Sequence, residues 1–101
     1  MKVAVASESD SRSGKVSSKA GRAPFYLIFE DGELVETWKN EYAEARGGAG
    51  RNVPEELDRK GVDKVLAGNF GGNMETKLKQ LGIAYSTVGA VDVEETVELG
   101  S

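Results

Sequence analysis

Neither cysteine nor histidine occurs anywhere in this chain. Those two absences together exclude disulfide frameworks, zinc fingers, thiolate-held iron–sulfur clusters, cysteine nucleophiles and histidine general bases. Long apolar runs are also missing: Phe25 to Phe29 is among the longest, far below the ~20 residues that span a bilayer. The first residues lack the zones of a secretory signal, because Lys2 leads straight into a strand-like segment. A cytoplasmic protein is the expectation, with no membrane partner. With 13 basic and 17 acidic residues the net charge is −4, so no overall field draws in nucleic acid or anionic lipid.

What remains is a chain of 101 residues, 39% apolar and 30% charged, suited to a single domain spanning 1–101. Residues 2–6 form a short β-branched run typical of a central strand. A polar stretch follows from Ser7 to Ala23, longer than most loops inside a compact domain. Pro24 precedes a strand at residues 25–29. Asp31-Gly32 supplies a type I′ turn, and residues 33–38 alternate as the return strand. Helix starts between Gly50 and Pro54, with Asn52 and Glu55 resembling a capping box. Residues 62–67 read as a buried strand and 68–73 as the turn behind it. Met74, Leu78 and Leu81 keep helical spacing up to Gly82. A last strand at 83–88 leads to a short helix after the Asp92/Glu95 pair, with Val93 and Val97 on one face. The order β-β-β-α-β-α-β-α predicts a layered α/β domain: a hairpin beside a central strand, then right-handed parallel crossovers.

Positive charge free of neighbouring acid is local to two loops. Residues 11–24 hold Arg12, Lys15, Lys19 and Arg22 with no acid, residues 45–54 hold Arg46 and Arg51 with no acid, and residues 65–74 carry no charge. In an open α/β sheet these segments can meet at the carboxyl edge of the strands. Glycine-rich backbone there can offer several N–H groups to one anion, helped by helix N-termini. The competing reading makes the glycines turns and the basic side chains solvated. Ser13-Gly14-Lys15-Val16 is no phosphate loop, since Ser9 stands for its leading glycine and Val16 for its metal-binding hydroxyl. Glu8 and Asp10 lack the further carboxylates of a metal-dependent nuclease. Trp38 and Met74 read as packing residues.

Several segments together resemble a small single-domain member of the dinitrogenase iron–molybdenum cofactor biosynthesis family. They are residues 1–7, 16–25, Gly47-Gly48-Ala49-Gly50, Gly61-Val62-Asp63, 67–73 and Leu81-Gly82-Ile83. The resemblance implies a ribonuclease H-like three-layer fold with a five-stranded mixed sheet and no nuclease activity. It also implies kinship with carriers of iron–sulfur or iron–molybdenum precursor clusters. Where the family often has a His-Phe-Gly-Arg-Ala segment, this chain has Lys19-Ala20-Gly21-Arg22-Ala23, so the natural soft-metal ligand is missing.

The reading is therefore a non-enzymatic, monomeric carrier. Its pocket of Ser18, Lys19, Gly21, Arg22, Gly48, Gly50, Gly68, Asn69, Gly71 and Asn73 would hold an anionic iron–sulfur or iron–molybdenum-type cluster, or a precursor. No direct metal ligand is expected. Arg22 and Lys19 would supply charge-assisted hydrogen bonds, the glycines would supply approach to backbone N–H groups, and Asn69 and Asn73 would orient the ligand or cap the second helix. Partners would be the cluster or an oxyanion, and cluster-assembly proteins. The alternatives are an adaptor that has lost metal and docks a protein along Leu34 to Trp38, or a module binding an oxyanion or phosphorylated metabolite. Catalysis on a phosphorylated compound ranks last, Glu8 being the one nearby candidate base.

Overall fold

The computed structural model describes residues 1–45 and 47–100, with side chains up to residue 97. Arg46 lies outside the described residues. Five strands and three helices follow the expected order: β1 Lys2–Ser7, β2 Phe25–Glu30, β3 Glu33–Lys39, α1 Ala49–Arg59, β4 Lys64–Ala67, α2 Gly72–Leu81, β5 Ala84–Thr87 and α3 Val93–Gly100. They build one mixed sheet in the order β3-β2-β1-β4-β5. β1 pairs antiparallel with β2 and parallel with β4, which makes it the central strand.

Alternation along the strands sorts the core into two halves. Ala4 and Ala6 of β1, Tyr26 and Ile28 of β2, and Val65 and Ala67 of β4 face α1 and α2, where Val53, Leu57, Met74 and Leu78 cover them. Val5, Leu27, Phe29 and Leu66 face the other way, beneath Val93 and Val97 of α3. The result is three layers, with two helices on one face and one short helix on the other.

The β2–β3 turn has Asp31 at φ 51° and Gly32 at φ 87°, the left-handed pair that a type I′ hairpin needs. Pairing then slips between Ile28, opposite Glu36, and Phe29, opposite Leu34, which leaves Val35 as the extra residue of a bulge. Trp38 is 9% exposed and stacks on Tyr26 at 5.8 Å between ring centres. Its side chain belongs to the core, as expected of a packing residue, while Val35 on the same strand is exposed.

The first helix starts earlier than expected. Its cap is Gly48 at φ 80°, and Asn52 lies inside the first turn, donating its backbone N–H to the Gly48 carbonyl at 2.7 Å. Asn52 and Glu55 form no capping box. Glycine accounts for the difference, because its freedom at positive φ lets the chain enter the helix before any capping side chain is needed. Pro54 fits within α1 but has no N–H, which leaves the Gly50 carbonyl without its helical donor.

The long polar stretch is tied down rather than loose. Glu8 donates to the Lys15 carbonyl at 2.9 Å, Ser7 bridges Val16, and Lys15 bridges Asp92. Val16, Ala20 and Ala23 are buried. Its end is anchored by a junction at the carboxyl edge: Ser17 donates to the Ala6 carbonyl at 2.8 Å and accepts from the Gly68 N–H at 2.8 Å. Ser17 thus joins the end of β1 to the end of β4 where the two strands part.

Gly68 makes that junction possible, since a Cβ there would sit 2.8 Å from the Ser18 Cα and 3.2 Å from the Ser17 carbonyl oxygen. Both are backbone atoms with little room to yield. Gly68→Ala is expected to cost about 1–3 kcal/mol through overpacking, read as a lower urea midpoint. Gly72→Ala, where a Cβ meets nothing within 4 Å, is expected to add a few tenths to ~1 kcal/mol by stiffening the unfolded chain.

Candidate functional site

Beyond the Ser17 junction the chain turns through Lys19-Ala20-Gly21-Arg22, closed by Arg22 N–H donating to the Lys19 carbonyl at 3.2 Å. Three contacts fix this turn. Ala20 N–H donates to the Asn69 carbonyl at 3.1 Å, and the buried Tyr26 hydroxyl donates to the Ala20 carbonyl. Asn40, 4% exposed, donates from Nδ2 to the carbonyls of Gly21 at 3.1 Å and Ala23 at 2.9 Å. Its Oδ1 accepts the Tyr42 N–H at 3.0 Å. Burial pushes the Tyr26 phenol well above its ordinary range, so it stays a neutral donor.

Gly21 rests on the start of α1: a Cβ built on it would lie 3.6 Å from Ala49 Cβ and 3.8 Å from Gly50 N. Gly50 in turn meets the start of α2: a Cβ built on it would lie 3.0 Å from Asn73 Cβ and 3.2 Å from Met74 N. The first turns of α1 and α2 therefore touch, backbone to backbone. Neither helix has a side-chain cap, and the first turn of α1 holds no acid. Two helix N-termini, each with unpaired first-turn amides and a partial positive charge, open on the same rim. Between them lies a groove of about 350 Å³ lined by Gly48, Gly50, Arg51, Asn73, Thr76 and Lys77, with Gln80 at its end.

Of the ten residues expected at the site, Gly48, Gly50 and Asn73 line this groove. Gly21 packs on its wall, and Lys19 and Arg22 are exposed on the adjoining turn. Arg22 reaches across to donate to the Ala45 carbonyl on the approach to α1. Ser18, Asn69 and Gly71 lie exposed in the neighbouring segments. Gly68 departs from its expected part: its N–H is already given to Ser17, so it offers no donor to a ligand. Asn73 does not cap α2, because the cap position falls two residues earlier, on Gly71.

Half the basic loop also leaves the rim. Arg12 pairs with Glu94 at 3.6 Å and Lys15 with Asp92 at 2.8 Å, both toward α3. The Asp92 carboxylate, by hydrogen bond and then by charge, holds the Lys15 ammonium above its ordinary range. Local positive charge at the rim comes instead from Lys19, Arg22, Lys77 and Arg51, the last shared with Glu55 at 3.6 Å. Thr76, Lys77 and the clamp Asn40 were missed by sequence reasoning. Lys77 lies on a helix with no basic run, and only the position of Asn40 just past a strand hints at a turn role. Among the described residues no group of three or more carboxylate, imidazole or thiolate side chains could hold a metal ion.

Asn40→Ala would leave the Gly21 and Ala23 carbonyls without their donor. A loss of about 1–3 kcal/mol is expected from the unsatisfied groups, together with faster amide exchange at Ala20 and Arg22 than in the sheet.

Comparison with known proteins agrees with this architecture. A putative NifB protein from Thermotoga is 30% identical, superposes with a TM-score of 0.85, and is matched over 98% of this chain and 85% of its own. The apo form of the orange protein from Desulfovibrio gigas is 24% identical with a TM-score of 0.89, over 96% of this chain and 83% of its own; that likeness speaks for the fold alone. No curated protein matches. The model of the dinitrogenase iron-molybdenum cofactor family matches residues 1–99, and the chain belongs to that family.

Proposed function

We propose that this protein is a non-enzymatic carrier that holds an anionic metal–sulfur cluster, or an oxyanion precursor of one, at the rim where α1 and α2 begin. The observation that carries the reading is the contact of Gly50 with Asn73 and Met74. It brings two uncapped helix N-termini to one groove, with Lys77 and Arg51 on its walls and Lys19 and Arg22 on the adjacent turn. Backbone amides and cations suit a sulfide- or oxygen-faced anion. The family match supports a cluster as the cargo.

The donor set dictates the mode of holding. Without imidazole or thiolate in the chain, cargo would be gripped through its outer sulfur or oxygen atoms and not by metal–protein bonds. Such a grip is weak, reversible and sensitive to salt, which suits transfer more than storage. Arg22, tethered to the Ala45 carbonyl, can swing toward the groove by exchanging a neutral acceptor for a charged one.

Anaerobic titration with tetrathiomolybdate, molybdate and inorganic phosphate tests this proposal. Tetrathiomolybdate is expected to shift the amides of residues 19–22, 48–52 and 72–77 and to comigrate with the protein on gel filtration. Arg51→Gln, Lys77→Gln and Arg22→Gln should each weaken it about two- to fivefold, as for exposed charge pairs of ~0.5–1 kcal/mol. Colourless protein with unmoved amides overturns the proposal. Phosphate bound as tightly as tetrathiomolybdate reassigns the groove to simple oxyanions.

A further inference from the structure

The two faces of the sheet are unequally covered. α1 and α2 span one face, while the other has only α3, whose first turn is pinned by Val93 N–H to the Gly14 carbonyl at 2.8 Å and Glu94 N–H to the Arg12 carbonyl at 3.1 Å. That anchorage sets α3 over Val5 and leaves the starts of β1 and β4 less covered. A cavity of about 680 Å³ opens there, within the ~300–1,000 Å³ range of small-molecule sites. It lies at the opposite end of the strands from the glycine rim, since its wall includes Met1, the Asp31-Gly32 turn and Lys64, the first residue of β4.

Its floor is apolar: Val3, Phe29 and Leu66 from the sheet and Val97 from α3. Its charged groups do not cancel. Asp31 faces the Met1 ammonium at 3.3 Å, and Glu94 faces Arg12 at a loose 3.6 Å. Lys64, half-buried on the wall, has no carboxylate partner among the described residues. The Arg12 guanidinium sits over the Phe29 ring, 5.4 Å from its centre. Stacking engages the face of a guanidinium and leaves in-plane N–H donors for a planar acid group.

We infer that this cavity binds a small amphipathic anion, with an apolar body against Val3, Phe29, Leu66 and Val97 and an acidic head held by Arg12 and Lys64. The apolar floor provides the affinity and the excess positive charge selects the head. The site shares no residue with the groove between α1 and α2, so the two can fail separately.

The probes are 1-anilinonaphthalene-8-sulfonate and its uncharged counterpart N-phenyl-1-naphthylamine, each titrated into the full chain by fluorescence and by amide shift mapping. The sulfonate should bind one to one, shift Val3, Phe29, Leu66 and Thr96, and leave residues 48–51 unmoved. Lys64→Gln should weaken the sulfonate about three- to tenfold and leave the neutral dye within twofold. Arg12→Gln should act in the same sense, and Lys64→Gln stands alone if loss of the Glu94 pair unsettles α3. Filling the floor with Val97→Phe should abolish binding of both dyes. Fluorescence without localised shifts, or a Lys64→Gln effect equal for both dyes, overturns the inference.

Discussion

Ser17 is the residue on which the arrangement turns. Its backbone accepts from Gly68 and donates to Ala6, tying the ends of two parallel strands together through a third segment. The sheet alone would let β1 and β4 part into solvent at this edge. The inserted segment instead sends the chain across the edge, and residues 19–22 land against the start of α1. The same constraint explains why a glycine stands at 68: the segments approach too closely for any side chain.

From that placement follows a site made mostly of backbone. Gly48 lets the chain enter α1 at a positive φ, and Gly50 lets α1 touch α2 at their amino ends as well as through the shared core of Val53, Leu57, Met74 and Leu78. Two partial positive charges add where they meet, with Glu75 in the first turn of α2 and Glu55 beside Arg51 as the nearby acids. Backbone amides are less selective than imidazole or thiolate ligands. On the proposed reading, Lys19-Ala20 in place of the family's histidine segment would exchange coordination for general electrostatic attraction.

Much of this was readable in the sequence, for identifiable reasons. The hairpin at Asp31-Gly32, the central position of β1, the helical face of Met74 and Leu78, and the α/β order rest on periodicity and turn chemistry, which are local. The convergence of the glycine segments also followed from topology. What escaped was decided by tertiary contact. Whether Lys15 serves the rim or pairs with Asp92 depends on where α3 lies, and no periodicity encodes that. Gly68 looked like a ligand donor until its N–H proved committed to Ser17. Asn40 carries no local signal of its part, although it holds two carbonyls of the basic turn. The capping role expected of Asn52 was displaced by Gly48, whose backbone freedom makes a side-chain cap unnecessary.

The single extra residue at Val35 has a consequence beyond its own hairpin. β3 is an outer strand, and an incoming chain seeking to extend the sheet there would find its donors and acceptors out of step across the irregularity. Glu33 and Lys39 add solvated charge at either end of that border. Ladder-like polymerisation through this flank is thereby discouraged, and a molecule with so thin a core can crowd against its own copies without zipping to them along that side.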